Sequence, residues 1–268
     1  MNDTVHYDVD GAIATVTLNR PDRMNTMNTE LLDAALDALQ RAADDERVRV
    51  VIMTGNGRAF CAGGDLEAMA AGDVPGVDGD GPAVQRRIAM LRHAMRTSQL
   101  LHDMPKVTIA AINGACAGAG LAWACACDLR VCAESAVFNT AFMTAGLSGD
   151  FGGTWTLSRV VGNAKARELY LLAEKFRAPE AERIGLVTRM VPDGELMGEV
   201  RRVAERITGF APLTMRAIKA NLNDAVNVGF AEMLDREADR HIRCGLTDDA
   251  REAATAFLEK RPPRFVGR

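Results

Sequence analysis

Two glycine-rich segments follow strongly apolar runs and could place free backbone amides around a ligand. The first, Ala62–Leu66, comes after Val50–Thr54, and the second, residues 113–120, comes directly after Val107–Ile112. Small residues let a ligand approach the backbone, and the first turn of a helix leaves N–H groups without intrahelical partners. Two such helix starts that converge would bind a developing oxyanion. Either segment alone is also explained by tight turns and close packing, so the prediction depends on the pair.

Asp150 is the acid that stands among glycines in the segment Gly146–Thr154. A lone aspartate in this setting is typical of a turn or a helix N-cap, and the alternative is an acid or base in a cleft. The histidines form no metal-type pair and are expected to be solvated or capping residues: His6, His93, His102 and His241. No metal site is therefore predicted.

Other catalytic motifs are absent from the sequence. Neither glycine-rich segment matches the phosphate-binding pattern G-x-x-x-x-G-K-[ST], and Gly118-x-Gly120 lacks the third glycine of the dinucleotide fingerprint. No G-x-S-x-G elbow occurs, which excludes a serine hydrolase of that type. We expect no nucleotide cofactor.

Composition indicates an ordinary globular protein. The 268 residues are 48% hydrophobic and 25% charged, and the formal net charge of −4 argues against nucleic acid or a membrane as partner. The uncharged run Val107–Cys127 is interrupted by glycines and is poor in Leu, Ile and Phe, so it is not predicted to span a membrane. Six cysteines without a C-x-x-C pair, and no apolar run in Met1–Asp10, predict a cytoplasmic protein without a secretory signal.

The elements that would position these residues alternate between strand and helix, and then become helical. Asp10-Gly11 between two apolar-rich runs predicts a hairpin over residues 5–18. A helix is expected at Thr29–Ala43 with Asn28 as its N-cap, and another at Ala83–His102. The Gly- and Pro-rich stretch Gly72–Pro82 is read as a surface loop or a lid. Helices follow at residues 163–173, 179–184, 195–207, 212–227, 230–243 and 248–259, with one late strand at 186–191.

Over nearly the whole chain the sequence resembles the crotonase (enoyl-CoA hydratase/isomerase) superfamily. The residues that carry the resemblance are Leu18–Pro21 with Met24-Asn25, Thr54-Gly55 with Phe60–Leu66, Ala110–Gly114, Cys127–Arg130, Gly152–Thr154, Ala181–Val187 and Phe257–Arg261. The resemblance implies an α/β fold, a spiral of β-β-α turns over residues 1–205, with a C-terminal helical trimerisation region over residues 206–268. It also implies an acyl-CoA thioester substrate, with coenzyme A as part of it, and a homotrimer or dimer of trimers.

The same resemblance assigns roles to individual residues. The oxyanion donors would be the backbone N–H groups of Gly64 and Ala119. Coenzyme A would lie against the backbone near Arg23 to Thr26 and Leu66, with Phe257 and Lys260 reaching in from a neighbouring subunit. The acyl pocket would include Trp123, Phe142, Met143 and Met69.

Two departures from the family pattern bear on the reaction. Hydratases of this family carry one glutamate where this chain has Ala122 and a second where it has Phe142. Asp150 matches the place of an aspartate in members that isomerise, dehalogenate or cleave. One carboxylate suffices to shift a double bond, whereas hydration is easiest with two, so an isomerase-like reaction is favoured. A hydratase or hydrolase using Asp150, a CoA-binding protein without catalysis, and His93 as a second acid or base remain alternatives.

Overall fold

A computed structural model of the chain describes residues 3–67 and 83–268. Two predictions, Met69 as a pocket residue and Gly72–Pro82 as a loop or lid, lie outside these ranges. Within them, strands form two sheets, and helices follow the strands as the sequence predicts.

The larger sheet contains strands β1 (Val5–Asp10), β2 (Ile13–Leu18), β3 (Val50–Gly55), β5 (Val107–Ile112), β7 (Leu129–Ala133) and β10 (Arg189–Val191), in that spatial order. The predicted hairpin is confirmed: β1 and β2 are antiparallel, and Gly11 adopts the positive φ of +59° that such a turn requires. The remaining pairs are parallel. Every residue of β3 is buried, as its apolar sequence predicts.

The smaller sheet contains strands β4 (Ala59–Cys61), β6 (Ala115–Ala117), β8 (Val137–Asn139) and β9 (Phe176–Arg177). Strands β3, β5 and β7 of the larger sheet are followed within a few residues by β4, β6 and β8, respectively, of the smaller sheet. This repeated connection builds the predicted spiral. The fold-class prediction is confirmed. The sequence does not predict two short strands: β4, which lies between β3 and the first glycine-rich segment, and β6, which lies within the second. Three residues are too few to show a periodicity in sequence.

Helices connect the strands and form the C-terminal region: α1 (Thr29–Asp44), α2 (Ala83–Ala94), α3 (Arg96–Asp103), α4 (Ala119–Ala126), α5 (Gly153–Val161), α6 (Asn163–Leu172), α7 (Ala178–Arg183), α8 (Leu196–Thr208), α9 (Pro212–Ala225), α10 (Phe230–Gly245) and α11 (Asp248–Leu258). Asn28 caps α1 as predicted, since its side-chain oxygen accepts from the Leu31 amide at 3.0 Å. The single helix predicted over residues 83–102 is instead interrupted at Met95. Among the described residues, no helix is both long and apolar enough to cross a membrane.

The C-terminal helices are tied to the spiral by one buried lysine. The Lys219 ammonium on α9 donates to the Asp128 carboxylate at 2.8 Å and to the Lys106 carbonyl at 2.9 Å. A buried cation needs such partners, because its desolvation is otherwise costly. The domain boundary predicted between residues 205 and 206 stays a prediction; α8 continues to Thr208, and its Leu196, Val200 and Ala204 pack on the larger sheet.

Candidate active site

The two glycine-rich loops are in direct contact. Met27 fastens the first loop, because its amide donates to the Gly63 carbonyl at 2.8 Å and its carbonyl accepts from the Asp65 amide at 3.1 Å. Gly63 has a φ of +95°, and a β-carbon there would lie 3.1 Å from the Ala117 carbonyl oxygen and 3.6 Å from the Ala119 nitrogen. A side chain at Gly63 would therefore separate the loops.

The second loop begins helix α4 and packs under the first. The Gly118 amide donates to the Asn139 carbonyl at 3.0 Å, and α4 starts at the next residue. A β-carbon on Gly120 would lie 2.2 Å from the Cys61 carbonyl oxygen, closer than any real contact. Glycine at this position therefore lets α4 approach the backbone of the first loop.

The contact brings two unpaired amides onto adjoining loops. Within the described ranges, neither the Gly64 amide nor the Ala119 amide donates to an acceptor. Ala119 is the first residue of α4, where the amide has no intrahelical partner, and Gly64 is exposed. Two such donors on a rigid backbone are what stabilises a developing thioester oxyanion.

Asp150 lies in a stretch of unusual backbone next to these loops. It is flanked by Gly149, with φ of +105°, and Phe151, with φ of +48°, and its own carbonyl accepts from the Gly153 amide at 3.0 Å. Its Oδ1 atom is sealed from solvent and has no hydrogen-bond partner. Burial raises the pKa of Asp150 from 3.8 to about 6. A carboxylate with that pKa is a much better base at neutral pH than an ordinary aspartate.

The first loop lies within electrostatic reach of Asp150. Burial is the main cause of the raised pKa of the Cys61 thiol, about 12, and the charge of Asp150 raises it further. Cys61 ends β4 and precedes the loop that carries Gly64. Asp150 and the loop that carries Gly64 therefore lie in the same region of the molecule.

Both positions at which family hydratases carry glutamate are apolar and buried here. Ala122 lies on α4, and its β-carbon would be 3.0 Å from a β-carbon on Gly153. Phe142 stacks on Tyr170 with ring centroids 6.2 Å apart, and its Cζ would be 3.9 Å from a β-carbon on Gly118. Neither side chain can move a proton.

Asp65 also stands beside the first loop, but its carboxylate is occupied. Its Oδ2 accepts from the Arg20 guanidinium at 3.2 Å and from the Thr26 hydroxyl at 3.3 Å. These bonds hold the segment before Met27 against the first loop. Asp65 is a structural acid of the site, and Asp150 is the unpaired one.

The predicted coenzyme A residues near the first loop come together. Arg23 pairs with Glu67, Thr26 bonds to Asp65, and Leu66 is exposed. The segments that contain them thus lie side by side, as a shared ligand would require. Phe257 and Lys260 lie at and after the end of α11, and both are exposed.

Trp123 does not line a pocket, contrary to the prediction. Its side chain is 0% exposed, its indole N–H donates to the Thr97 hydroxyl at 2.8 Å, and its ring packs edge-on against Phe151. Trp123 lies one helical turn after the start of α4, and its side chain faces the core. Met143 is exposed, and so is His93 on α2.

Trp155 is exposed on α5. Its ring lies against His102 with centroids 5.2 Å apart, and the Arg159 guanidinium covers it at 3.7 Å. The sequence gives no hint of Tyr170, which lies beside the Asp150 segment. Nothing in the helical pattern of residues 163–172 marks that position, because its neighbours come from distant parts of the chain.

No metal centre is formed among the described residues, since no three His, Cys, Asp or Glu side chains group suitably. The chemistry that the described site residues themselves offer is proton transfer by a carboxylate and oxyanion binding by backbone amides.

The raised pKa of Asp150 predicts a pH-dependent effect on stability. Folding favours the protonated form, so this group contributes stability below pH 3.8 that is lost as the pH rises through about 6. Asp150→Asn removes the buried charge, and we expect its melting temperature to exceed that of the wild type at pH 8 and to match it near pH 4. Thermal unfolding across this range is the measurement. An equal difference at both ends would show that burial does not disfavour the charge.

Comparison with known proteins supports the fold described above. The family model described as Enoyl-CoA hydratase/isomerase matches residues 8–268. The 1,2-epoxyphenylacetyl-CoA isomerase of Escherichia coli is 35% identical over 260 residues, covering 97% of each chain. The crotonyl-CoA hydratase of Syntrophomonas wolfei is 35% identical over 257 residues, covering 96% of this chain and 95% of that one. A solved enoyl-CoA hydratase from Bacillus anthracis superposes with a TM-score of 0.90 at 30% identity, covering 99% and 100%.

Proposed function

The chain belongs to the enoyl-CoA hydratase/isomerase family and processes acyl-CoA thioesters, and on that premise we propose that it is an isomerase that shifts a double bond with Asp150 as acid and base. Coenzyme A would enter as part of the substrate, without a separate cofactor. A cytoplasmic location and assembly as a homotrimer or dimer of trimers belong to the same proposal.

One observation supports the isomerase over the hydratase. Asp150 is an unpaired, desolvated carboxylate whose charge reaches the first glycine-rich loop, and the positions of both family glutamates are the apolar Ala122 and Phe142. Hydration is easiest with one group that activates water and another that protonates carbon. A double-bond shift needs a single group that takes a proton from one carbon and returns it to another.

The proposed steps use residues of this chain alone. The Asp150 carboxylate removes a proton from the carbon next to the thioester carbonyl, and the C–H electron pair moves into a dienolate. The amides of Gly64 and Ala119 donate to the enolate oxygen, which stabilises its charge. Asp150 then returns the proton to the far carbon of the former double bond, so the product is the conjugated thioester and the carboxylate is restored.

The test is a comparison of two substrates. We expect turnover of 3-hexenoyl-CoA to 2-hexenoyl-CoA, with little hydration of crotonyl-CoA, both followed by chromatography. Efficient hydration would favour a hydratase, the activity named for the Syntrophomonas relative, with Asp150 activating water. Release of free coenzyme A would favour a hydrolase. Binding of both thioesters without any turnover would indicate a CoA-binding protein that has lost catalysis.

Coenzyme A binding is proposed to depend on Lys260 from a neighbouring subunit. Lys260 is exposed and follows α11, whose last turn carries the 83% exposed Phe257. We expect Lys260→Glu to weaken binding of butyryl-CoA, because the ammonium would lose a phosphate partner, and to leave butyryl-pantetheine unaffected. Calorimetric titration of both ligands measures this, with exposed Lys175→Glu as the control. Equal weakening of both ligands would contradict a phosphate contact.

A further inference from the structure

Tyr170 lies alongside the segment that carries Asp150. A β-carbon on Gly149 would be 3.9 Å from Tyr170 Cε1, and one on Gly153 would be 2.6 Å from the Tyr170 hydroxyl oxygen. The ring therefore lies alongside the segment on both sides of Asp150, and glycine at position 153 makes room for its hydroxyl. Its other neighbour is Phe142, on which it stacks.

The hydroxyl of Tyr170 also borders Ala122. A β-carbon on Gly153 would lie 2.6 Å from the Tyr170 hydroxyl oxygen and 3.0 Å from the Ala122 β-carbon. The hydroxyl thus stands beside the place where hydratases of the family carry a glutamate. A polar group reaches this part of the site from α6, since α4 supplies none.

Both polar groups here lack partners. Within the described part of the chain, no residue forms a hydrogen bond with the Tyr170 hydroxyl, and Asp150 Oδ1 is buried without a partner. Burial is the main cause of the raised pKa of Tyr170, and the charges of Cys125 and Asp150 add to it. The phenol therefore keeps its proton at neutral pH and remains a donor.

The Asp150 carboxylate, which is only partly buried as a whole, and an adjacent unpaired donor favour a ligand group that pairs with both. An alcohol does so, because its oxygen accepts from the phenol and its proton is donated to the carboxylate. A hydrocarbon acyl chain would leave both groups unpaired, which is unfavourable in a buried site. The side chain of Tyr170 is only half-buried, so it is open to a ligand.

We propose that Tyr170 determines specificity by donating a hydrogen bond to a hydroxyl group on the acyl chain, so that hydroxylated acyl-CoA thioesters are the preferred ligands. This inference rests on the proposed function in one respect, that the acyl group binds beside Asp150.

The test measures the affinity of the full-length protein for three ligands: butyryl-CoA, 3-hydroxybutyryl-CoA and 4-hydroxybutyryl-CoA. We expect at least one hydroxylated ligand to bind about tenfold more tightly than butyryl-CoA, the upper range for one net hydrogen bond. Tyr170→Phe should abolish this preference and leave the affinity for butyryl-CoA unchanged, because the ring and its stacking on Phe142 remain. Tyr7→Phe is the matched control, since Tyr7 lies on β1 and its ring faces Arg41.

The outcomes separate this inference from the proposed function. Absence of a preference in the wild type, a preference that survives Tyr170→Phe, or an equal loss for all three ligands would each overturn the role of Tyr170. Exchange of the α-protons of butyryl-CoA with deuterium is measured in parallel and reports enolate formation alone. A preference without exchange keeps Tyr170 as a specificity residue and rejects Asp150 as base, whereas exchange without preference rejects only the Tyr170 inference.

Discussion

Asp150→Asn is expected to lower turnover by about 10²–10⁴-fold while thioester binding is retained. Asparagine keeps the size and the hydrogen-bonding capacity of the side chain but cannot take a proton. The Gly64 and Ala119 amides are unaffected, so the ligand still binds. Exchange of deuterium into the α-carbon should be lost together with turnover.

Glu174→Gln makes the same carboxylate-to-amide change at an exposed position and should retain wild-type activity. In the wild type, the rate should fall as the pH drops through about 6, because the protonated Asp150 is no longer a base. A profile that falls only near pH 4 would indicate an ordinary solvated carboxylate. Full activity of Asp150→Asn would remove Asp150 from the mechanism, and His93 would then be the next residue to substitute.

Gly64→Pro is expected to lower kcat by about 10²–10³-fold, because proline has no amide hydrogen and one oxyanion donor is lost. The Gly64 amide donates to nothing within the described residues, so its removal breaks no bond of the folded chain. Gly64→Ala is the matched control, since it keeps the amide at an exposed position that is not among those with positive φ.

A binding measurement separates loss of the donor from damage to the fold. S-butyl-CoA is a thioether without the carbonyl oxygen, so it cannot use the oxyanion donors. The wild type should bind butyryl-CoA more tightly than S-butyl-CoA, and Gly64→Pro should reduce this difference without weakening S-butyl-CoA. If both ligands are weakened alike, the substitution has distorted the site and the Gly64 amide is not identified as a donor.

Local elements were predictable because their causes are local. The Asp10-Gly11 turn, the Asn28 cap and the buried strand β3 depend on backbone preference, one side-chain bond and an apolar run, all visible within a few residues. The short strands β4 and β6 escaped prediction because they pair with each other across more than 50 residues of sequence. The break in the predicted helix at Met95 likewise left no sequence signal.

The features of the candidate site were likewise predictable from the sequence only in part. The sequence by itself determined that two glycine-rich segments follow apolar runs, that one aspartate stands among glycines, and that Ala122 and Phe142 carry no acid. These are facts of residue type and order, which folding cannot change.

Only the tertiary structure decided how strong a base Asp150 is and what surrounds it. Its pKa depends on desolvation by residues from separate elements. Its Oδ1 atom is unpaired because no donor among the described residues reaches it. The same holds for Trp123 and Tyr170. The Trp123 side chain is buried in the core because of its place on α4, and the Tyr170 side chain extends from α6 to the glycine-flanked segment that carries Asp150. Burial and contact are properties of side chains that meet across long separations, and no local pattern specifies which ones meet.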